Sequence, residues 1–294
     1  MKRLAGGCVV AWLVVMALWI AAWPLAAQGG AARPQGTPAQ NVATPRAADG
    51  HPDLSGLYVA GAGGAAGAPD IDDQGNVTVL LNTREDSAIT FERDSSLVKR
   101  LDPNVPVYKP EFWEKLQALD DDAARQDPSI YSCMPLGLPR MGAPSQIVQI
   151  PKQLIFLYQV GGASGAAGNT FRVIPTDGRP LPPKNTWEGT WNGRSVGHWD
   201  GETMVIESVD FNDESWLDNQ GYFHSADMKV TERLTRQGNT VRYQATVEDP
   251  KVLLKPWAMN PRTLNANAAP MALLEESLPC QELDLQHLVT KEHH

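Results

Sequence analysis

The second half of the chain alternates apolar and polar residues in short runs separated by turn residues. Residues 145–150 and 153–160 flank Pro151-Lys152, and residues 169–175 run into Asp177-Gly178. Residues 195–199 and 202–209 flank Asp200-Gly201, and residues 228–235 and 240–247 flank Gln237-Gly238-Asn239. Strict alternation bounded by Gly, Asp and Asn predicts strands joined by hairpin turns. Sequential hairpins make an antiparallel meander, and a long meander removes its unpaired edges by closing. The expected fold is therefore all-β, an antiparallel meander closing into a lipocalin-like barrel; the alternative is an open two-sheet sandwich. Residues 76–82 add an isolated strand pattern. One helix is expected near 110–125, where Pro110 suits a first helical position and Phe112, Leu116 and Leu119 fall on one face. A Pro-rich stretch follows over 127–144.

The N-terminus departs from this pattern. Lys2 and Arg3 precede an apolar run over 9–23 and the small-residue exit Ala26-Ala27. That is the order of a secretory signal peptide over 1–27, the alternative being an uncleaved anchor helix. Residues 28–50, rich in Ala, Gly, Pro and Gln, read as a disordered leader. One β-barrel domain is then expected over 51–294, with a helical and Pro-rich insertion over 84–144. Export implies an oxidising compartment, periplasmic or secreted, where Cys133 and Cys280 make an economical disulfide; the alternative is two buried thiols. With 25 Lys+Arg against 34 Asp+Glu, the net charge of −9 argues against nucleic acid as a partner. No later stretch is apolar for long enough to span a bilayer as a helix.

The blocks PDLSG (52–56), DPSIYSCMPLGLPR (127–140), FRVIPTDGRPLPP (171–183), WEGTWNGRSVGHWDGETMVIES (187–208), WLDNQGYFHSADMKVTERL (216–234) and VEDPKVLLKPW (247–257) resemble a large family of secreted bacterial proteins without an agreed chemistry. The resemblance covers most of the chain from residue 51 and implies export and a β-rich fold. A weaker resemblance is to lipocalins: Leu54-Ser55-Gly56-Leu57-Tyr58 stands where their Gly-x-Trp opening would be, with Tyr58 in place of Trp.

Strand parity selects the candidate chemistry. Met228, Val230, Glu232 and Leu234 share one face of their strand, so Glu232 is expected inside the barrel. A carboxylate among apolar neighbours must be paired or have a raised pKa, which makes it either a candidate acid or base, or half of an inward ion pair with Arg172 or Arg194. Glu207 lies on a strand whose inward face is ambiguous. His224, in the loop before the Glu232 strand, is the best-placed imidazole, with Asp227 three residues on to set its tautomer. Ser225, His224 and Asp227 are awkwardly close in sequence for a nucleophilic triad. No spacing of His, Cys or carboxylates suggests a metal site, and no glycine-rich motif suggests a nucleotide, so no cofactor is expected. Tyr158, Arg172, Trp187, Trp191, Trp199, Phe223 and Tyr243 are the candidate ligand-binding residues for an apolar cavity with a few polar groups. Three readings follow. The first is an exported, cofactor-independent enzyme acting on a hydrophobic or aromatic small molecule by acid–base chemistry, as isomerase, hydratase/dehydratase or hydrolase. The second is a lipocalin-like carrier using the same cavity. The third is an envelope-associated structural protein.

Overall fold

The computed structural model describes residues 42–60, 70–71, 77–78, 104–159, 169–183, 189–218, 220–267 and 273–274. Twelve strands lie among them: β1 Gly56–Ala60, β2 Asp70–Ile71, β3 Val77–Thr78, β4 Gln146–Ile150, β5 Gln153–Tyr158, β6 Thr170–Pro175, β7 Arg194–Asp200, β8 Thr203–Val209, β9 Lys229–Gln237, β10 Thr240–Glu248, β11 Trp257–Ala258 and β12 Arg262–Ala266. Among the described residues β2 and β3 pair with each other alone, so the predicted strand over 76–82 is a two-residue strand in its described part, the remainder lying outside the described residues. The rest form one sheet in the order β6-β5-β4-β1-β12-β10-β9-β8-β7, with β11 beside β12 on β10. Every ladder is antiparallel.

This order is the chain order wrapped into a ring. The meander closes where β12 returns to β1, pairing Tyr58 with Ala266 and Ala60 with Leu264. The ends of the hydrogen-bonded path are instead two mid-chain strands, β6 and β7. Nine strands form the path, and an odd ring cannot alternate direction at every junction. Following the antiparallel pairs round from β1 in both directions leaves β6 and β7 running the same way. Parallel neighbours cannot be joined by a tight hairpin, and β6 and β7 are connected by 176–193, with prolines at 180, 182 and 183. At this seam the strands meet through side chains. A Cβ on Gly197 of β7 would lie 3.0 Å from Thr176 Cγ2 and 3.1 Å from Met204 Sδ, so the close approach has no room for one. The barrel expectation is thus met as a nearly closed antiparallel barrel.

Alternation puts Ile147, Leu154, Phe156, Ile174, Met204, Ile206, Val230, Leu234, Val241, Tyr243, Ala245 and Leu264 inside, all buried. The ends of the barrel differ. The hairpin-turn end is held by the residues before β1. Leu54 is fully buried and its amide donates to Gln149 Oε1, while Arg236 donates to the carbonyls of Asp53, Ser55 and Gly238. Residues 42–50, expected within the leader, are part of this end: Thr44 Oγ1 accepts from the Gly238 amide and Arg46 pairs with Glu202.

The opposite end carries the helices. The predicted single helix is divided into a 3-10 turn, Pro110–Phe112, then α1, Trp113–Asp121, and α2, Ala123–Gln126. Asp122, at φ −123° and ψ 35°, leaves helical geometry between them. A third short helix, α3, Pro128–Tyr131, opens the Pro-rich stretch, with the Asp127 side chain accepting from the Ser129 amide as its cap. Phe112, Leu116 and Leu119 pack on the core as expected. Asp127 also receives both terminal nitrogens of Arg140, which folds 127–140 into a compact turn.

Candidate functional site

Glu232 is fully buried, on the face of β9 that carries Val230 and Leu234, in register with Ile206 of β8 and Ala245 of β10. Its partner is Arg172, which alternation on β6 also turns inward at 5% exposure. Arg172 Nη2 stands 2.7 Å from Glu232 Oε2, an ion-pair contact, and Tyr243 donates to Glu232 Oε1 at 3.0 Å. The guanidinium also donates to Tyr158 Oη (3.0 Å), Ser195 Oγ (2.8 Å) and Ser208 Oγ (3.1 Å), and the two serines bond to each other. One arginine from β6 therefore ties together β5, β7, β8 and β9, spanning the seam that has no backbone ladder. Burial pulls the Arg172 guanidinium down, but the Glu232 charge and the contacts with Glu232 and Tyr158 outweigh it, so its pKa is raised. Burial raises Tyr158, with Arg172 opposing, and burial with the Glu232 charge raises Tyr243 well above the usual phenol value. Chemically this is an inward ion pair among neutral hydroxyls. It joins three of the predicted ligand residues, Tyr158, Arg172 and Tyr243, but fills the space between them with their own contacts.

His224 belongs to a separate hydrogen-bonded group at the helical end. It is 3% exposed, with Nδ1 3.0 Å from the Ser225 carbonyl and Nε2 2.8 Å from Ser215 Oγ. A carbonyl only accepts, so Nδ1 carries the proton and Nε2 accepts from the Ser215 hydroxyl. Burial lowers the His224 pKa, opposed by the Ser225 carbonyl and by the charges of Asp249 and Asp213. Asp227 is not the orienting acid; it pairs with Lys251 at 3.2 Å. Ser225 donates to Asp249 Oδ1 and touches His224 only through its carbonyl, so Ser225, His224 and Asp227 form no triad.

Ser215 escaped the sequence reading. Trp216 bridges Phe223 and the Leu217 amide donates to the Tyr222 carbonyl, a small hairpin whose register sets Ser215 opposite His224. The signal was the turn-rich sequence Asp218-Asn219-Gln220-Gly221 between two large apolar pairs, Trp216-Leu217 and Tyr222-Phe223. Glu207 faces outward and pairs with Lys229, settling its ambiguous parity. The inward face of β8 is the one with Met204, Ile206 and Ser208.

The remaining aromatics are dispersed. Phe223 lies in the helical cap, 5.1 Å from the Tyr108 ring and 5.7 Å from the Phe112 ring, with Lys115 Nζ 3.8 Å above it. Trp199 stacks on His51 at 4.6 Å. Trp191 lies half-buried in the turn before β7, its carbonyl accepting from the Leu138 amide. Trp187 lies outside the described residues, as does Cys280, while Cys133 sits at φ 55° beyond α3. Among the described residues, these aromatics do not assemble into the single lined lumen expected from the sequence.

A cleft of about 420 Å³ opens on the outside of the seam instead. β6 contributes Phe171, Arg172, Val173 and Pro175; the crossover contributes Arg179, Pro180 and Pro182; Asn192–Val196 form the other wall. Phe171 and Val173 are 64% and 48% exposed, large apolar side chains left in water. Three arginines line the cleft, and the described residues lining it include no Asp or Glu. Each arginine is paired on another side, Arg172 with Glu232, Arg179 with Asp177 and Arg194 with Asp210. Two buried polar atoms of the lining residues, Arg172 Nε and Asn192 Oδ1, have no hydrogen-bond partner among the described residues.

Among the described residues, no group of His, Cys, Asp and Glu could hold a metal ion, and no helix is long and apolar enough to cross a membrane. Comparison with family models, with curated proteins and with solved structures finds no match to this chain.

Proposed function

We propose that the chain is an exported small-molecule-binding barrel whose ligand sits in the seam cleft rather than in the lumen. The observation that carries this is the placement of the 420 Å³ cleft at the junction where the ring lacks a ladder. Its volume is within the roughly 300–1,000 Å³ of small-molecule sites, and it combines apolar walls with a few fixed polar groups. The lumen supports a ligand less well, because Phe156, Tyr158, Tyr243 and the Arg172–Glu232 pair occupy it. The leader pattern of 1–27 supports export to the periplasm or beyond, and a Cys133–Cys280 disulfide would suit that compartment.

The test is Phe171→Ala. Phe171 is too exposed to support the fold, so melting should stay at the wild-type temperature. Affinity for aromatic ligands, read by fluorescence titration, should fall roughly tenfold with the lost apolar contact. Unchanged binding by a saturable ligand would remove the cleft as the site.

The Ser215–His224 bond favours a second reading, acyl transfer with Ser215 as nucleophile and His224 as base. Both groups are 3% exposed, so this requires the cap to open. A fluorophosphonate probe should then label Ser215 in the native protein, and a native protein that stays unlabelled rejects it.

A further inference from the structure

With the cleft taken as the binding site, we propose that its ligand is an organic anion: an apolar, ring-sized body carrying one acidic head, a carboxylate, sulfonate or phosphate. The inference rests on the cleft reading and adds the class of ligand to it. The chain as a whole is acidic, at −9, yet the lining of this cleft holds three arginines and no carboxylate among its described residues. Their counter-charges approach from other sides. Glu232 meets Arg172 from inside the barrel, Asp177 holds Arg179 within its own turn, and Asp210 meets Arg194 through Nε. A guanidinium has five N–H donors in a fixed fork, so one carboxylate does not exhaust it. The Asp210 contact at Arg194 Nε leaves the terminal nitrogens of that side chain, which is 44% exposed, for a second acceptor.

The buried ion pair beneath the cleft fixes where the head would go. Arg172 cannot swing toward solvent, because Tyr158, Ser195 and Ser208 each take one of its N–H groups. Its charge is held at the seam, and its Nε is a donor without an acceptor among the described residues. Asn192 in the facing wall carries the matching orphan, an acceptor without a donor among the described residues. A hydroxyl or amide N–H next to the acidic head would satisfy it. Phe171, Val173, Pro175, Pro180 and Val196 then offer the apolar walls for the body. Electrostatics here acts at short range, since the arginines are partly neutralised, and the preference is for a head seated among their N–H groups rather than for any distant negative charge.

The experiment compares two fluorescent probes that share one hydrocarbon frame. Anilinonaphthalenesulfonate carries a sulfonate, and phenylnaphthylamine lacks it. Titrated against the full chain, the sulfonate should bind at one saturable site about tenfold or more tighter than its neutral counterpart, the worth of one charge-assisted hydrogen bond. Arg194→Gln should remove most of that preference. Arg179→Gln, in an exposed local pair that supports no packing, repeats the test should Arg194→Gln lower the melting temperature by exposing Asp210. Phe171→Ala should weaken both probes together. Equal binding of the two probes, with Phe171→Ala still weakening both, overturns the anionic head and keeps the cleft. Binding of either probe that Phe171→Ala leaves untouched, or no saturable binding, overturns the cleft and the anion with it.

Discussion

Glu232→Gln and Arg172→Met test whether the inward ion pair holds the seam. Glu232→Gln keeps the side-chain volume and removes the charge, leaving the Arg172 cation at 5% exposure with only neutral acceptors. Arg172→Met removes the cation and leaves a fully buried carboxylate bonded to Tyr243 alone. Breaking a buried pair from one side strands a charge where water cannot solvate it, at a cost of about 3–5 kcal/mol for each single variant. At about 2–4 °C per kcal/mol for a domain of this size, each should melt roughly 6–20 °C lower. The double variant strands no charge. It should therefore be less destabilised than the sum of the singles by at least about 2 kcal/mol, within the coupling seen for residues in direct contact. Urea unfolding followed by tryptophan fluorescence gives the four free energies, with a constant slope confirming that only stability changed. Additive singles, or singles costing under about 1 kcal/mol each, would refute the pair as the element that closes the barrel.

The buried imidazole makes acid stability a second test. Because burial lowers the His224 pKa, the unfolded chain takes up a proton near pH 6.5 that the folded chain refuses until lower pH. Stability is complete above that value and declines as pH falls toward the folded pKa, by up to about 1.4 kcal/mol per pH unit from this group. His224→Gln should melt lower at pH 7.5 but lose less between pH 7 and 5.5 than the wild type; parallel curves would remove His224 as the source. The disulfide expectation is checked by mass spectrometry after alkylation, where two modified cysteines in the unreduced mature protein would contradict it.

The barrel was legible because its hairpins are local. Asp200-Gly201 and Gln237-Gly238 lie between runs whose parity needs no distant information, and the ends of β7 to β10 fall within a residue or two of their sequence-based bounds. The same parity placed Glu232 inside, and Arg172 was one of two arginines, with Arg194, offered as its partner. What failed was long-range. Glu207 could not be oriented because β8 is apolar on both sides, with Met204, Val205 and Ile206 all buried. β12 carries one buried apolar residue, Leu264, so it gives no alternation to read, although it is the strand that closes the ring on β1. The aromatic residues were grouped by composition, and composition cannot distinguish Tyr243 in the lumen from Phe223 in the cap.

The location of the cleft follows from counting strands. Antiparallel strands in an even ring can bond at every junction, but a ring of nine must place two parallel strands side by side somewhere. The chain sets that junction where it has a long crossover and no hairpin, between β6 and β7. There the structure substitutes side-chain bonds for a ladder, through Arg172 to Ser195 and Ser208. A junction held by one long side chain and two short hydroxyls can close at one end, as Gly197 does against Thr176, and stand open at the other. The open end is where Phe171 and the three arginines lie. Binding there would therefore act on the least backbone-bonded junction of the barrel. A seated ligand should raise the melting temperature of Glu232→Gln by as much as that of the wild type, provided the Arg172 fork remains in place. A ligand that stabilises the wild type but leaves Glu232→Gln unmoved would mean that the ion pair, and not only the arginine, positions the site.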